Sequence, residues 1–95
     1  MLFRSEARCY GNLGTVFRSL GEYFNAKEYQ EKATAISIEN GDREGEAACY
    51  GNLGTVFRSL GDYVKAKEYQ ERALAISIEI GDKETEATCY RMVIF

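Results

Sequence analysis

The sequence predicts an all-α fold: an α–α superhelix of about five helices stacked as antiparallel pairs. Three observations predict it. Residues 11–21 and 51–61 both read GNLGTVFRSLG, so an eleven-residue stretch recurs letter for letter at an offset of forty. Aligning residues 9–50 with 49–90 compares 42 positions, of which nine differ and 33 are identical. A period near forty belongs to repeat architectures, in which each unit buries its apolar face on the next copy. Within each unit the apolar residues return at helical spacing, and the chain contains no proline to interrupt a helix.

In the first helix Cys9, Leu13, Phe17 and Leu20 fall at i, i+4, i+8 and i+11, with Val16 widening the stripe. That stripe is assigned to the core. Gly21 ends the helix, because glycine takes the left-handed backbone of a C-terminal cap at little cost. Glu22 follows it and is expected to cap the second helix, as Asp62 does after Gly61. So short a turn forces the two helices antiparallel. The second helix carries Tyr23, Ala26, Tyr29 or Gln30, Ala33 and Ile36 on its inner side. Gly41-Asp42 and Gly81-Asp82 restart the pattern in the same way.

Two segments, Ala35–Glu39 and Leu74–Ile80, alternate partly at period two, as a strand does. Charged, helix-favouring residues run straight into both without a turn, so they are read as final helical turns. Those turns are apolar on more than one side and are expected to meet both the partner helix and the following unit. Units run over residues 3–41 and 42–81, with a partial third unit or capping helix at 82–95. After Cys89-Tyr90 the last unit departs from GNLGT and reads RMVIF, so Val93, Ile94 and Phe95 are expected to cover unit two. Unit one has only Met1, Leu2 and Phe3 available as cover. Two and a half units are few for such an array, which predicts modest stability or self-association through open ends.

The glycines pose a choice between a phosphate loop and a packing device. A phosphate loop needs a preceding strand and a lysine and hydroxyl directly after its glycines. Gly14 is followed by Thr15-Val16-Phe17 and preceded by helical sequence, so nucleotide binding is set aside. A glycine inside a helix costs roughly 1 kcal/mol relative to alanine. Gly14 and Gly54 are therefore read as close-approach points, where a side chain would strike a large residue of the second helix, Tyr23 or Tyr29.

These residues resemble the tetratricopeptide repeat. The resemblance rests on Asn12-Leu13-Gly14, Phe17, Gly21, Tyr23, Ala26 and Ala33, matched in the second copy by Asn52, Leu53, Gly54, Phe57, Gly61, Tyr63, Ala66 and Ala73. It departs at Tyr10 and Tyr50, which stand at the tryptophan-like site. Gln30 and Gln70 hold the usual slot of the second-helix aromatic, and the closing proline is absent. The longer unit, ending in Gly-Asp, resembles the repeats of the G-protein-signalling-modulator family of polarity scaffolds. The short G-protein motifs of that family are lacking, so no nucleotide-switch partner is implied.

The resemblance implies structural roles for Leu13, Gly14, Phe17, Gly21, Ala26 and Ala33 and for their second-copy counterparts Leu53, Gly54, Phe57, Gly61, Ala66 and Ala73. It also implies a concave surface, lined by the first helix of each unit, that holds a peptide or a helix of a partner protein. Helix geometry then turns Arg8, Asn12, Thr15, Arg18, Asn52, Thr55 and Arg58 toward that groove. An asparagine amide both donates to and accepts from a peptide backbone, and an arginine fork fits a carboxylate. The competing reading treats these as solvated positions copied by duplication, in a structural or self-stacking segment of a larger scaffold.

Composition narrows the function further. The formal charge is −3, from 12 basic and 15 acidic residues, which disfavours nucleic acid and anionic membranes. No apolar run reaches membrane-spanning length. The three cysteines recur forty apart and histidine is absent, so neither a disulfide framework nor a zinc site is expected, and no metal or cofactor is implied. Reduced thiols suit an intracellular, cytoplasmic setting. With no histidine and no activated nucleophile, the chain is not expected to be an enzyme.

Overall fold

A computed structural model describes residues 4–81 and 83–94, leaving aside the side chains of Arg4, Thr85 and residues 92–94. Among the described residues there are five helices and no strand: α1 (Arg4–Ser19), α2 (Tyr23–Glu39), α3 (Arg43–Ser59), α4 (Tyr63–Ile80) and α5 (Lys83–Ile94). Each helix packs on its sequence neighbour: α1 on α2, α2 on α3, α3 on α4, and α4 on α5. The strand-like segments are helical, with Ile36 and Ile76 buried while Ile38 and Ile78 look outward. The expected cover by Met1–Phe3, and by the side chains of Val93, Ile94 and Phe95, lies outside the described residues.

The turns follow from their glycines. Gly21, Gly41, Gly61 and Gly81 all have positive φ, between 67° and 83°. At the first, the Gly21 N–H donates to the Arg18 carbonyl at 3.0 Å and the Glu22 N–H to that of Phe17 at 2.8 Å. This closes the last helical turn on its own orphan carbonyls. The same pair of bonds recurs at Gly41-Asp42 and Gly61-Asp62. Asp42 and Asp62 then cap the next helix, accepting from the N–H of Gly45 at 3.0 Å and of Lys65 at 3.2 Å. Glu22 departs from expectation. Its side chain makes no cap bond and instead accepts from Asn25 Nδ2 at 3.2 Å. The extra methylene carries the carboxylate past the backbone N–H groups that aspartate reaches. Asp82 lies outside the described residues.

Gly14 and Gly54 are close-approach points, but the partner is neither tyrosine. A Cβ on Gly14 would lie 2.7 to 2.9 Å from Nε2, Cδ and Cγ of Gln30, and one on Gly54 would lie 2.5 to 2.9 Å from the same atoms of Gln70. The inner stripe of α2 is thus Ala26, Gln30, Ala33 and Ser37, all buried. Gln30 is 1% exposed, and its Nε2 donates to the Gly11 carbonyl at 2.9 Å; Gln70 donates to that of Gly51 at 3.0 Å. Tyr29 turns aside, stacking on Phe17 at 5.3 Å and on Tyr10 at 6.0 Å between ring centroids. Tyr69 repeats this with Phe57 and Tyr50.

The assignment of the whole first stripe to the core is corrected. Leu53 is 1% exposed but Leu13 is 42%, and Val56 is 1% against 53% for Val16. Cys9 and Leu20 are exposed as well, and Phe17 is half-buried where Phe57 is buried. The sequence is the same in both copies; the difference is that α2 lies against α3, and among the described residues no helix lies in that position against α1.

Two outcomes follow. Leu53→Ala should lower unfolding free energy by roughly 2–5 kcal/mol, whereas Leu13→Ala should cost about 1 kcal/mol or less, as urea unfolding of each variant will report. Gly54→Ala should destabilise by about 1–3 kcal/mol despite its gain in helix propensity, because the alanine methyl expels Gln70. In the Gly54→Ala/Gln70→Ala double variant the cost should be clearly less than the sum of the two single changes.

Candidate functional site

α1 and α3 lie side by side, and the surface between them forms a cavity of about 310 Å³. Arg8, Asn12 and Thr15 of α1 line it, facing Glu44, Ala48 and Asn52 of α3. Four of the seven groove residues read from the sequence therefore share one cavity: Arg8, Asn12, Thr15 and Asn52. Asn12 and Asn52 are exposed. The other three, Arg18, Thr55 and Arg58, do not line the cavity and lie nearer the C-terminal ends of α1 and α3; all three are half-buried.

The floor is built by packing. Gly11 leaves room at the cavity, and behind it the Gln30 amide holds the Gly11 carbonyl. Thr15 Oγ1 donates to that same carbonyl at 3.1 Å, and Thr55 Oγ1 to the Gly51 carbonyl at 3.2 Å. Both hydroxyl protons are thus spent on their own helix, which leaves the threonines as acceptors toward anything outside. Asp42 and Glu44 also line the cavity, so it carries Arg8 on one side and two carboxylates on the other.

Gln30 and Gln70 were not singled out as site-forming from the sequence. The available signal was a polar residue at the same place in both copies, on the inner stripe of a helix and opposite a helical glycine. That combination marks an amide reaching across to a backbone carbonyl. At the other end of the unit, Arg43 bonds Glu46 at 2.9 Å and Glu79 at 2.6 Å, joining the start of α3 to the end of α4. The Glu79 pair is exposed and adds little stability, while Glu46 is buried.

A family model for the tetratricopeptide repeat matches residues 5–92. The chain belongs to the tetratricopeptide repeat family. Tetratricopeptide repeats generally mediate protein–protein interaction and typically serve as non-catalytic scaffolds. No curated protein matches the chain. Among the described residues no helix is long and apolar enough to cross a membrane, and no group of three or more acidic, cysteine or histidine side chains is placed to hold a metal ion.

Among the titratable groups of the cavity wall, the Cys49 thiol is shifted by burial. Cys49 is buried there, its sulfur 3.9 Å from Ser37 Oγ across the junction between repeats. Burial pushes its thiol above the ordinary value of 9.0, and burial likewise raises the neighbouring Tyr50 phenol above 10.0. Both are acids whose neutral form the fold favours, so the unfolded chain deprotonates first. Stability is therefore fully present below pH 9 and declines as pH rises past the unfolded thiol value. Urea midpoints from about pH 8 to 10.5 should fall, and Cys49→Ala should flatten the early part of that fall.

Proposed function

We propose that this tetratricopeptide repeat domain is a non-catalytic adaptor whose concave face binds an extended peptide or a helix of a partner protein. The observation that carries the reading is the shared cavity between α1 and α3, with Asn12 and Asn52 both exposed at its edge. The two asparagines stand at equivalent places in adjoining repeats, so they can grip successive stretches of one peptide backbone, each amide donating and accepting. Arg8 on one wall and Asp42 and Glu44 on the other give this cavity both signs of charge. It therefore suits backbone recognition more than selection of one charge. Arg18 and Arg58, further along the same helices, supply that selection for an acidic side chain or a terminal carboxylate.

The forty-residue unit adds support, since it resembles the repeats of G-protein-signalling-modulator scaffolds, and a cytoplasmic scaffold is the setting the reduced cysteines suit. A net charge of −3 supports a protein ligand over nucleic acid.

Fluorescence polarisation with a peptide library tests the reading. Asn52→Ala and Asn12→Ala should each weaken a selected peptide by roughly 3- to 10-fold, the worth of one or two hydrogen bonds. Both side chains are exposed, so the unfolding midpoint should not move. Unchanged binding in both variants would remove the asparagines from the site.

A further inference from the structure

We propose that the open face of α1 is a docking site for a second copy of this chain, which binds through its α4 in place of its own α5. The stack is head-to-tail. What covers such a face is visible inside the molecule itself. Residues 11–19 of α1 recur in α3 as residues 51–59, and there, with α2 packed alongside, Leu53, Val56 and Phe57 are buried. At that junction Glu31, Thr34, Ala35 and Ile38 of α2 meet Tyr50, Leu53 and Arg72 of the second repeat around one cavity. Leu60 meets the turn from Gly21 to Asn25 around another.

The chain holds one more helix with the outward pattern of α2. In α4, Glu71, Leu74, Ala75 and Ile78 stand where α2 has Glu31, Thr34, Ala35 and Ile38. On the receiving face of repeat one, Tyr10, Leu13 and Lys32 stand where repeat two has Tyr50, Leu53 and Arg72. The charges are complementary in the same sense, since Glu71 of one copy would face Lys32 of the next as Glu31 faces Arg72. The turn that would receive Leu20 is open too: Tyr63 is 68% exposed, whereas Tyr23, its counterpart beside Leu60, is half-buried. α5 is the weaker occupant of the α4 face. It follows the α1 and α3 pattern only through Tyr90, and then has Arg91-Met92-Val93-Ile94 in place of Gly-Asn-Leu-Gly.

α5 is tethered, with an effective concentration on the order of millimolar, so α1 of a second copy must prevail by fit. The contact uses two different patches and does not close on itself, which predicts open-ended growth. The groove reading is independent of it, because neither Val16 nor Tyr63 lines the concave cavity.

Sedimentation of the full chain from about 10 µM to about 1 mM, a range that reaches the tether's effective concentration, tests the idea. Mean mass should rise with concentration. Val16→Glu and Tyr63→Glu each place a charge in the new junction and should each weaken association by about tenfold or more. Both sites are exposed, so both variants should fold as the parent does. Mixed together they should form one-to-one complexes and stop there, since one retains its tail and the other its head. Iodoacetamide gives a second readout. In the monomer Cys9 is exposed and Cys89 buried; in the stack Cys9 should be shielded and Cys89 should become reactive. A monomer at every concentration would overturn the proposal. So would a mixture of the two variants that fails to pair, or shielding of Cys9 with Cys89 still unreactive, which describes a head-to-head dimer.

Discussion

Burial of Leu53 and Val56 under α2 is the contact on which the remaining structure depends. Within a single helix pair of this sequence the apolar stripe of the first helix is covered only in part. The preceding pair supplies the cover, and removing that neighbour leaves the same side chains exposed, as Leu13 and Val16 are. Cohesion is thus a property of the junction between repeats. The spacing of α1 and α3, and with it the width of the surface between them, is set by the same contact.

Within each pair a different device holds the helices close. Small residues on α2 and α4, Ala26 and Ala33 with Ala66 and Ala73, let the backbones approach, and Gly14 and Gly54 admit a glutamine from the facing helix. The glutamine Nε2 then donates to a carbonyl of the first helix one turn earlier, while Gln30 Oε1 stays buried without a hydrogen-bond partner. A buried amide without that carbonyl would be costly, and an apolar residue of similar length would not fix the register of the two helices. The carbonyls held in this way, those of Gly11 and Gly51, lie under the proposed peptide surface. Packing on one side of α1 and α3 therefore determines how rigidly the other side is presented.

The aromatic stacks close each pair on the remaining flank. Tyr29 and Tyr69 lie almost parallel to Phe17 and Phe57, and the cations of Lys32 and Arg72 sit 5.1 Å from the Tyr29 and Tyr69 ring centroids. In repeat two this cluster is roofed by α2; in repeat one it is the floor of the open face. The two junction surfaces are chemically similar, and among the described residues only that of repeat two is covered by a neighbouring helix pair.

Helix count, turn positions and the pairing of neighbours were legible in the sequence, because each depends on local chemistry: helical spacing, positive-φ glycines, and aspartates that reach the next helix's N–H groups. That Arg8, Asn12, Thr15 and Asn52 line one surface was legible too, from helix geometry together with the family pattern. Glu22 as a non-capping residue and Gln30 as the partner of Gly14 were not, for these depend on where an extra methylene or a flexible amide ends up once two helices are packed. The fate of Leu13, Val16 and Cys9 was least legible of all. Their sequence is identical to that of residues buried forty positions later, and burial is decided by what lies alongside, a quantity that only the tertiary arrangement contains.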